Sequence, residues 1–215
     1  MRYHHLGDLP QTLPIFPLNG VLLLPRGQLP LNIFEPRYLA MIDSAMAGTR
    51  MIGMIQPSLK EERTLKPPLS AVGCAGRITT YAEADDGRYL ITLTGVCRFR
   101  IASELDVSTP FRQVTLDFAP YAGDLVTGGD HQFPRERLLS ALKHYLSSRD
   151  LNADWKSVMT APDETLVNAL AMLCPFEPAE KQAILEARDW NDRVDTLVAL
   201  LEMSDAMTST GKTLN

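Results

Sequence analysis

"RITTYAEADDGRYLITLTGVCRFRI", residues 77–101, decides how the first half of the chain is read. Asp86-Gly87 splits it into two arms, and that dipeptide is a strong signal for a tight turn between antiparallel strands. On the second arm Tyr89, Ile91 and Leu93 share one face at a period of two. Cys97, Phe99 and Ile101 continue the alternation opposite Val96, Arg98 and Arg100. Apolar residues on one side and arginines on the other describe an antiparallel sheet wetted on one face. Arg98 and Arg100 are therefore expected to point at solvent.

Working outward, "TLPIFPLNGVLLLP" (12–25) gives two apolar runs about an Asn19-Gly20 turn signal, and "RMIGMI" (50–55) and "FRQVTLDF" (111–118) read as further strands. After residue 120 the period changes. Leu138, Ala141, Leu142 and Tyr145 recur at helical spacing behind Pro134, and Leu166, Leu170 and Leu173 do so behind Pro162. Pro178 opens another helix, and Asp189 is a suitable N-cap for a last one striped by Trp190, Val194, Leu197 and Leu201. Beyond Met203 the period is lost and the tail is expected to fray. Strands followed by helices argue for an α+β fold. Residues 1–120 form a β-rich part with one helix at about 36–47, and residues 121–215 a helical bundle, the boundary falling within 119–133.

The chain has 215 residues, 45% apolar and 22% charged, with a net charge of −5. Residues 1–120 hold 12 Lys+Arg against 11 Asp+Glu, and residues 121–215 hold 9 against 15. An acidic total is a poor match for nucleic acid, where phosphate neutralisation dominates affinity. No apolar run approaches the roughly 18 residues of a membrane span, no polybasic run suits an anionic membrane, and "MRYHHLGDLP" lacks the apolar core of a secretory signal. Cys74, Cys97 and Cys174 are few, odd in number and widely spaced, which favours buried thiols in a reducing cytoplasm over a disulfide framework or zinc knuckle.

"LPLNIFEPRYLAMI" (29–42) turns a strand into a helix through Glu35-Pro36-Arg37. Pro36 fits the first helical position, and Glu35 beside it meets the positive end of the helix dipole. Tyr38, Met41, Ile42 and Ala45 make the stripe that packs under the sheet, with Arg37 free to pair with Glu35. The competing reading is a recognition pocket framed by Glu35, Arg37 and Tyr38. A carboxylate held beside arginine stays ionised, which argues against a general acid or base.

Motifs that invite chemistry fall short. "TGKT" (210–213) lacks the earlier glycine of a phosphate loop, Ala206 standing there, and has no preceding strand. Lys156-Ser157 are adjacent, which fixes no catalytic geometry, and no GxSxG elbow exists. His4-His5 sit in a leader expected to be unstructured, and His131 and His144 have no HExxH spacing. Met41, Met46, Met51 and Met54 are expected as core filler. No catalytic residue, cofactor site or metal site is assigned.

The combination of FEPRY, the Arg-Phe-Arg-Ile strand (98–101) and the helix "AEKQAILEA" (179–187) closely resembles the N-terminal substrate-binding domain of Lon-type ATP-dependent proteases, over most of residues 12–203. The resemblance implies a PUA-like pseudo-barrel followed by a helical bundle, and a role in binding protein substrates. The chain stops where a Lon protease would continue into ATPase and peptidase modules, so a non-catalytic module is expected. Its expected partners are unfolded or extended protein segments, with a collaborating protease or chaperone as a further candidate. The expected binding sites are a groove between sheet and bundle or an exposed strand edge, with Phe34, Glu35, Arg37, Tyr38, Arg98 and Arg100 as contact residues. The alternative is RNA binding through Arg77, Arg88, Arg98, Arg100 and Arg112.

Overall fold

The Asp86-Gly87 turn forms as read: Gly87 takes φ +80° and joins β4 (Leu69–Glu83) to β5 (Tyr89–Glu104). Only a residue without Cβ enters that region cheaply. The computed structural model describes residues 3–58, 66–126 and 134–211, with side chains placed as far as Met203. The remaining strands are β1 (Thr12–Pro17), β2 (Gln28–Ile33), β3 (Met51–Pro57) and β6 (Gln113–Asp117), in the order β2-β5-β4-β3-β1-β6. Because β6 also pairs with the second half of β5, five strands close on themselves and β2 flanks the first half of β5. Closure satisfies the sheet's backbone groups internally, which is the pseudo-barrel expected. Inside it Phe99 is fully buried and meets Phe118 edge to face at 6.2 Å.

The Asn19-Gly20 turn does not make a hairpin. β1 pairs with β3 in parallel and with β6, while Val21–Leu24 form no strand. Leu22, Leu23 and Leu24 are nonetheless buried to 2% exposure or less, crossing over the sheet near Gly95. A Cβ on Gly95 would lie 2.0 Å from the Leu24 carbonyl oxygen, so glycine there permits the crossing. Arg26 follows at φ +65° and donates its N–H to Gly95 O at 2.8 Å. Burial of the apolar run, satisfied by loop contacts instead of a ladder, explains why a strand-like sequence is not a strand.

Helix α1 (Pro36–Ala47) starts with Glu35 as N-cap residue and Pro36 in its first turn, and buries Tyr38, Met41, Ile42 and Ala45. The leader differs from expectation. Asp8 Oδ2 accepts the N–H groups of His4 (2.8 Å) and His5 (3.1 Å), a 3-10 turn runs Leu6–Asp8, and Leu9 is buried.

The second half comprises α2 (Arg135–Ser148), α3 (Trp155–Thr160), α4 (Asp163–Leu173), α5 (Pro178–Glu186) and α6 (Trp190–Gly211). Asp189 accepts the Asp192 N–H at 3.0 Å, as its N-cap reading required. The α6 helix runs through Gly211, past the point at which the sequence pattern loses its period, and Lys212 and Thr213 of TGKT lie outside the described residues, as does His131. On α4 the buried set is Leu166, Val167, Asn168 and Ala171, while Leu173 is 81% exposed. Leu166 and the half-buried Leu170 follow the expected stripe and Leu173 departs from it, while Val167, Asn168 and Ala171 are buried as well.

Both halves share one apolar core, and polar bonds fasten them together. Lys181 Nζ donates to Gly20 O (2.9 Å), Gln56 Nε2 to Pro178 O (3.0 Å) and Gln182 Nε2 to Val72 O (3.2 Å). The helix of the AEKQAILEA motif is thus one piece that keys the bundle onto the barrel.

Candidate functional site

At the charged corner Arg37 links Glu35 and Tyr38. Arg37 Nε donates to Glu35 Oε2 at 2.9 Å, and its guanidinium carbon lies 4.4 Å from the Tyr38 ring centroid. Tyr38 is 7% exposed and packs on Phe16 at 4.3 Å, and burial raises its phenol pKa. Arg37 and Tyr38 line a cleft of about 300 Å³ together with Pro17, Pro57, Phe111 and Arg112. Phe34 stands next to this corner with 65% of its surface exposed.

The expectation for Arg98 is overturned. Its residue exposure is 2%, because the outward face of β5 at this point is covered by the segment joining α5 to α6 and by the 3-10 turn Ala119–Leu125. Arg98 Nε and Nη2 each donate to Asp124 at 2.9 Å, and its own backbone N–H donates to the same carboxylate at 3.0 Å. Arg98 Nη1 donates to Leu185 O at 3.0 Å and also to Ala187 O, and the guanidinium sits 4.3 Å from the Tyr121 ring centroid. A period of two on one strand cannot reveal that helices cover its second face. Arg100 remains exposed, as expected.

A second guanidinium joins this buried pair. Arg193, on the first turn of α6, is 2% exposed and approaches Asp124 Oδ1 at 3.8 Å. Its Nη1 donates to Asn168 Oδ1 at 3.4 Å, and Asn168 in turn donates to Pro25 O at 2.9 Å. Burial, reinforced by Arg98, pushes the Arg193 guanidinium down to about 10. At the edge of the cluster Arg26 donates to Glu164 and, at 2.5 Å, to Asp124 O.

Arg26 stands where three clefts of about 400, 380 and 400 Å³ adjoin. The first is bounded by Tyr121, Asp124, Val126, Trp190 and Arg193, the second by the barrel strands at Thr79 and Thr94, and the third by α4 at Asn168 and Met172. The first and third lie between barrel and bundle, and with the second they make up a recessed area around Arg26. It shares no lining residue with the Tyr38 cleft, so the structure divides the six expected contact residues between separate places.

The strand edge is a weaker docking element. The Gly95 N–H to Gly27 O bond (2.9 Å) sets the ladder phase, so Leu29, Leu31 and Ile33 face β5, while Gln28, Pro30 and Asn32 present their backbone groups outward. Pro30 has no N–H and removes the middle donor, a known way of blunting an edge.

Lys156 and Ser157 start α3, where Ser157 Oγ donates to the N-cap Asp154 at 2.6 Å. Burial pushes the Cys97 thiol up to about 12 and the Cys174 thiol up to about 11. Among the described residues no group of three or more His, Cys, Asp or Glu is placed to hold a metal ion, and no helix is long and apolar enough to cross a membrane. Four of the five arginines of the RNA reading are engaged: Arg88 pairs with Asp86, Arg112 with Glu104, Arg98 with Asp124, and Arg77 donates to Tyr3 Oη, while Arg100 is exposed.

Residues 12–203 match the family model of the ATP-dependent protease La (LON) substrate-binding domain. The Lon protease of Roseiflexus castenholzii is 24% identical over 208 residues, covering 95% of this chain and 26% of that protein. The Lon protease of Desulfosudis oleivorans is 32% identical over 113 residues, covering 50% of this chain and 14% of its own length. This chain therefore spans about a quarter or less of these curated relatives. Among solved structures, a Lon N-terminal domain protein from Xanthomonas campestris aligns with a TM-score of 0.61 at 23% identity, covering 87% of this chain and 97% of that one. The N-terminal domain of the Mycobacterium avium complex Lon protease aligns at 0.60 and 16% identity, over 91% and 98%.

Proposed function

The chain belongs to the family of LON substrate-binding domains, and from that premise we propose that it is a non-catalytic protein-binding module that holds unfolded or extended segments of other proteins. The observation that carries this reading is the set of three clefts that meet at Arg26, two of them at the seam between barrel and bundle. The first is apolar at Tyr121, Val126 and Trp190, and polar at Arg26 and Glu164. A mixed lining of this kind accepts varied side chains through a few fixed polar contacts. Phe34 and Arg100 keep exposed side chains and are proposed as accessory contacts, whereas Arg98 acts as a fastener between the halves.

Hydrogen exchange with reduced, carbamidomethylated α-lactalbumin as an unfolded probe tests the location. Added probe slows exchange at residues 119–126 and 164–173 and leaves the β2 edge unchanged. Protection confined to residues 28–33 would transfer the site to the strand edge. Unchanged exchange everywhere, with the probe in excess, would refute the reading.

A further inference from the structure

The most deeply buried part of the seam holds two guanidinium groups and one carboxylate. Arg98 and Arg193 are both 2% exposed and share one buried carboxylate, Asp124. Arg98 is fully engaged, but Arg193 is not: its contacts lie at 3.4 and 3.8 Å, and its buried Nε has no protein acceptor. A guanidinium carries five donors, and leaving them unsatisfied away from water is costly. The neighbouring carboxylates are engaged elsewhere and make no bond to Arg193 Nε. Glu164 is held by Arg26, Arg188 pairs with Asp192, and the exposed Asp189 caps the Asp192 N–H.

Arg193 lines the cleft bounded by Tyr121, Val126 and Trp190, and so do residues 189–191 at the N-terminal end of the 22-residue helix α6. The positive end of a helix and an under-bonded guanidinium therefore meet in one cleft. We propose that this cleft is a carboxylate-binding site that takes a carboxylate borne by an extended peptide, a reading that rests on the protein-binding role above. A planar carboxylate can accept paired bonds from a guanidinium that lacks full partners. A phosphate dianion would bring a second negative charge against Asp124, Glu164 and Asp189. The apolar walls at Pro120, Tyr121 and Val126 suit the side chain beside the carboxylate.

The test uses one fluorescein-labelled apolar decapeptide in three forms, titrated by anisotropy against the full chain. The first has a free C-terminal acid, the second a C-terminal amide, and the third the amide with an internal Asp. The acid or the Asp form binds about 10- to 100-fold tighter than the plain amide, the range of one charge-assisted bond pair. The form that gains identifies the source, chain end or side chain. Arg193→Gln erases the difference. Val126→Asp, at a position 69% exposed and so tolerant of charge, reduces it by repulsion. Equal affinity of all three forms overturns the carboxylate site and leaves the protein-binding role intact. Failure of every form to bind sinks both.

Discussion

Asp124→Asn is the sharpest perturbation of the seam. Asp124 accepts both arms of Arg98 and the Arg98 backbone N–H, and it is the carboxylate that Arg193 approaches. The substitution keeps the shape, removes the charge and sets an amide NH₂ against guanidinium donors. Breaking one partner of a buried ion pair costs about 3–5 kcal/mol, because the remaining charge stays desolvated. A domain of this size holds about 5–15 kcal/mol in total, and each kcal/mol moves the melting point by about 2–4 °C. Urea unfolding followed by circular dichroism should show a loss of about 3–5 kcal/mol, with Tm lower by roughly 6–20 °C. The Arg98→Met/Asp124→Leu/Arg193→Leu triple variant should recover much of that loss, since apolar replacements of a whole buried ion cluster are often neutral. A loss below about 1 kcal/mol for Asp124→Asn would refute the view that this cluster fastens the halves.

Gly95→Ala forces a Cβ against the Leu24 carbonyl and should leave the chain insoluble or destabilised by more than about 2 kcal/mol in the same assay. The Cys97 thiol, raised from 9.0 to about 12, should react with iodoacetamide at pH 8 far more slowly in the native than in the unfolded chain. Because its folded pKa exceeds its unfolded value, the folded state holds the proton longer, and stability is complete below pH 9 and falls as pH rises toward 12. Native and urea-unfolded thiols alkylating at equal rates would contradict its burial. Pro30→Val restores the missing outward donor on β2 and should increase self-association in sedimentation experiments, with no change in monomer fold.

Much of this architecture was legible in the sequence. The Asp86-Gly87 hairpin, the Pro36 helix start and the burial of Tyr38, Met41 and Ile42 follow from local periodicity and turn chemistry, which act between near neighbours. The resemblance carried by FEPRY and AEKQAILEA anticipated the barrel and bundle. What escaped is long-range. Arg98 looks outward on its strand, and its burial depends on Asp124, 26 positions away, and on carbonyls 87 and 89 positions away. Val21–Leu24 has strand composition but crosses the sheet as a buried loop, because Gly95 leaves room for it. Arg26, Arg193 and Asn168 carried no motif. The one available signal for Asp124 was its place in the segment between the halves, which reads as a loop.

The central claim is that this polypeptide grips unfolded chains without altering them. Anisotropy titration of labelled, reduced and carbamidomethylated α-lactalbumin, with mass spectrometry of the recovered probe after overnight incubation with and without ATP and Mg²⁺, tests it directly. The account predicts saturable binding, weaker for Val126→Asp, and an intact probe under both conditions. Cleaved probe, or native folded α-lactalbumin bound as tightly as the unfolded form, would contradict it.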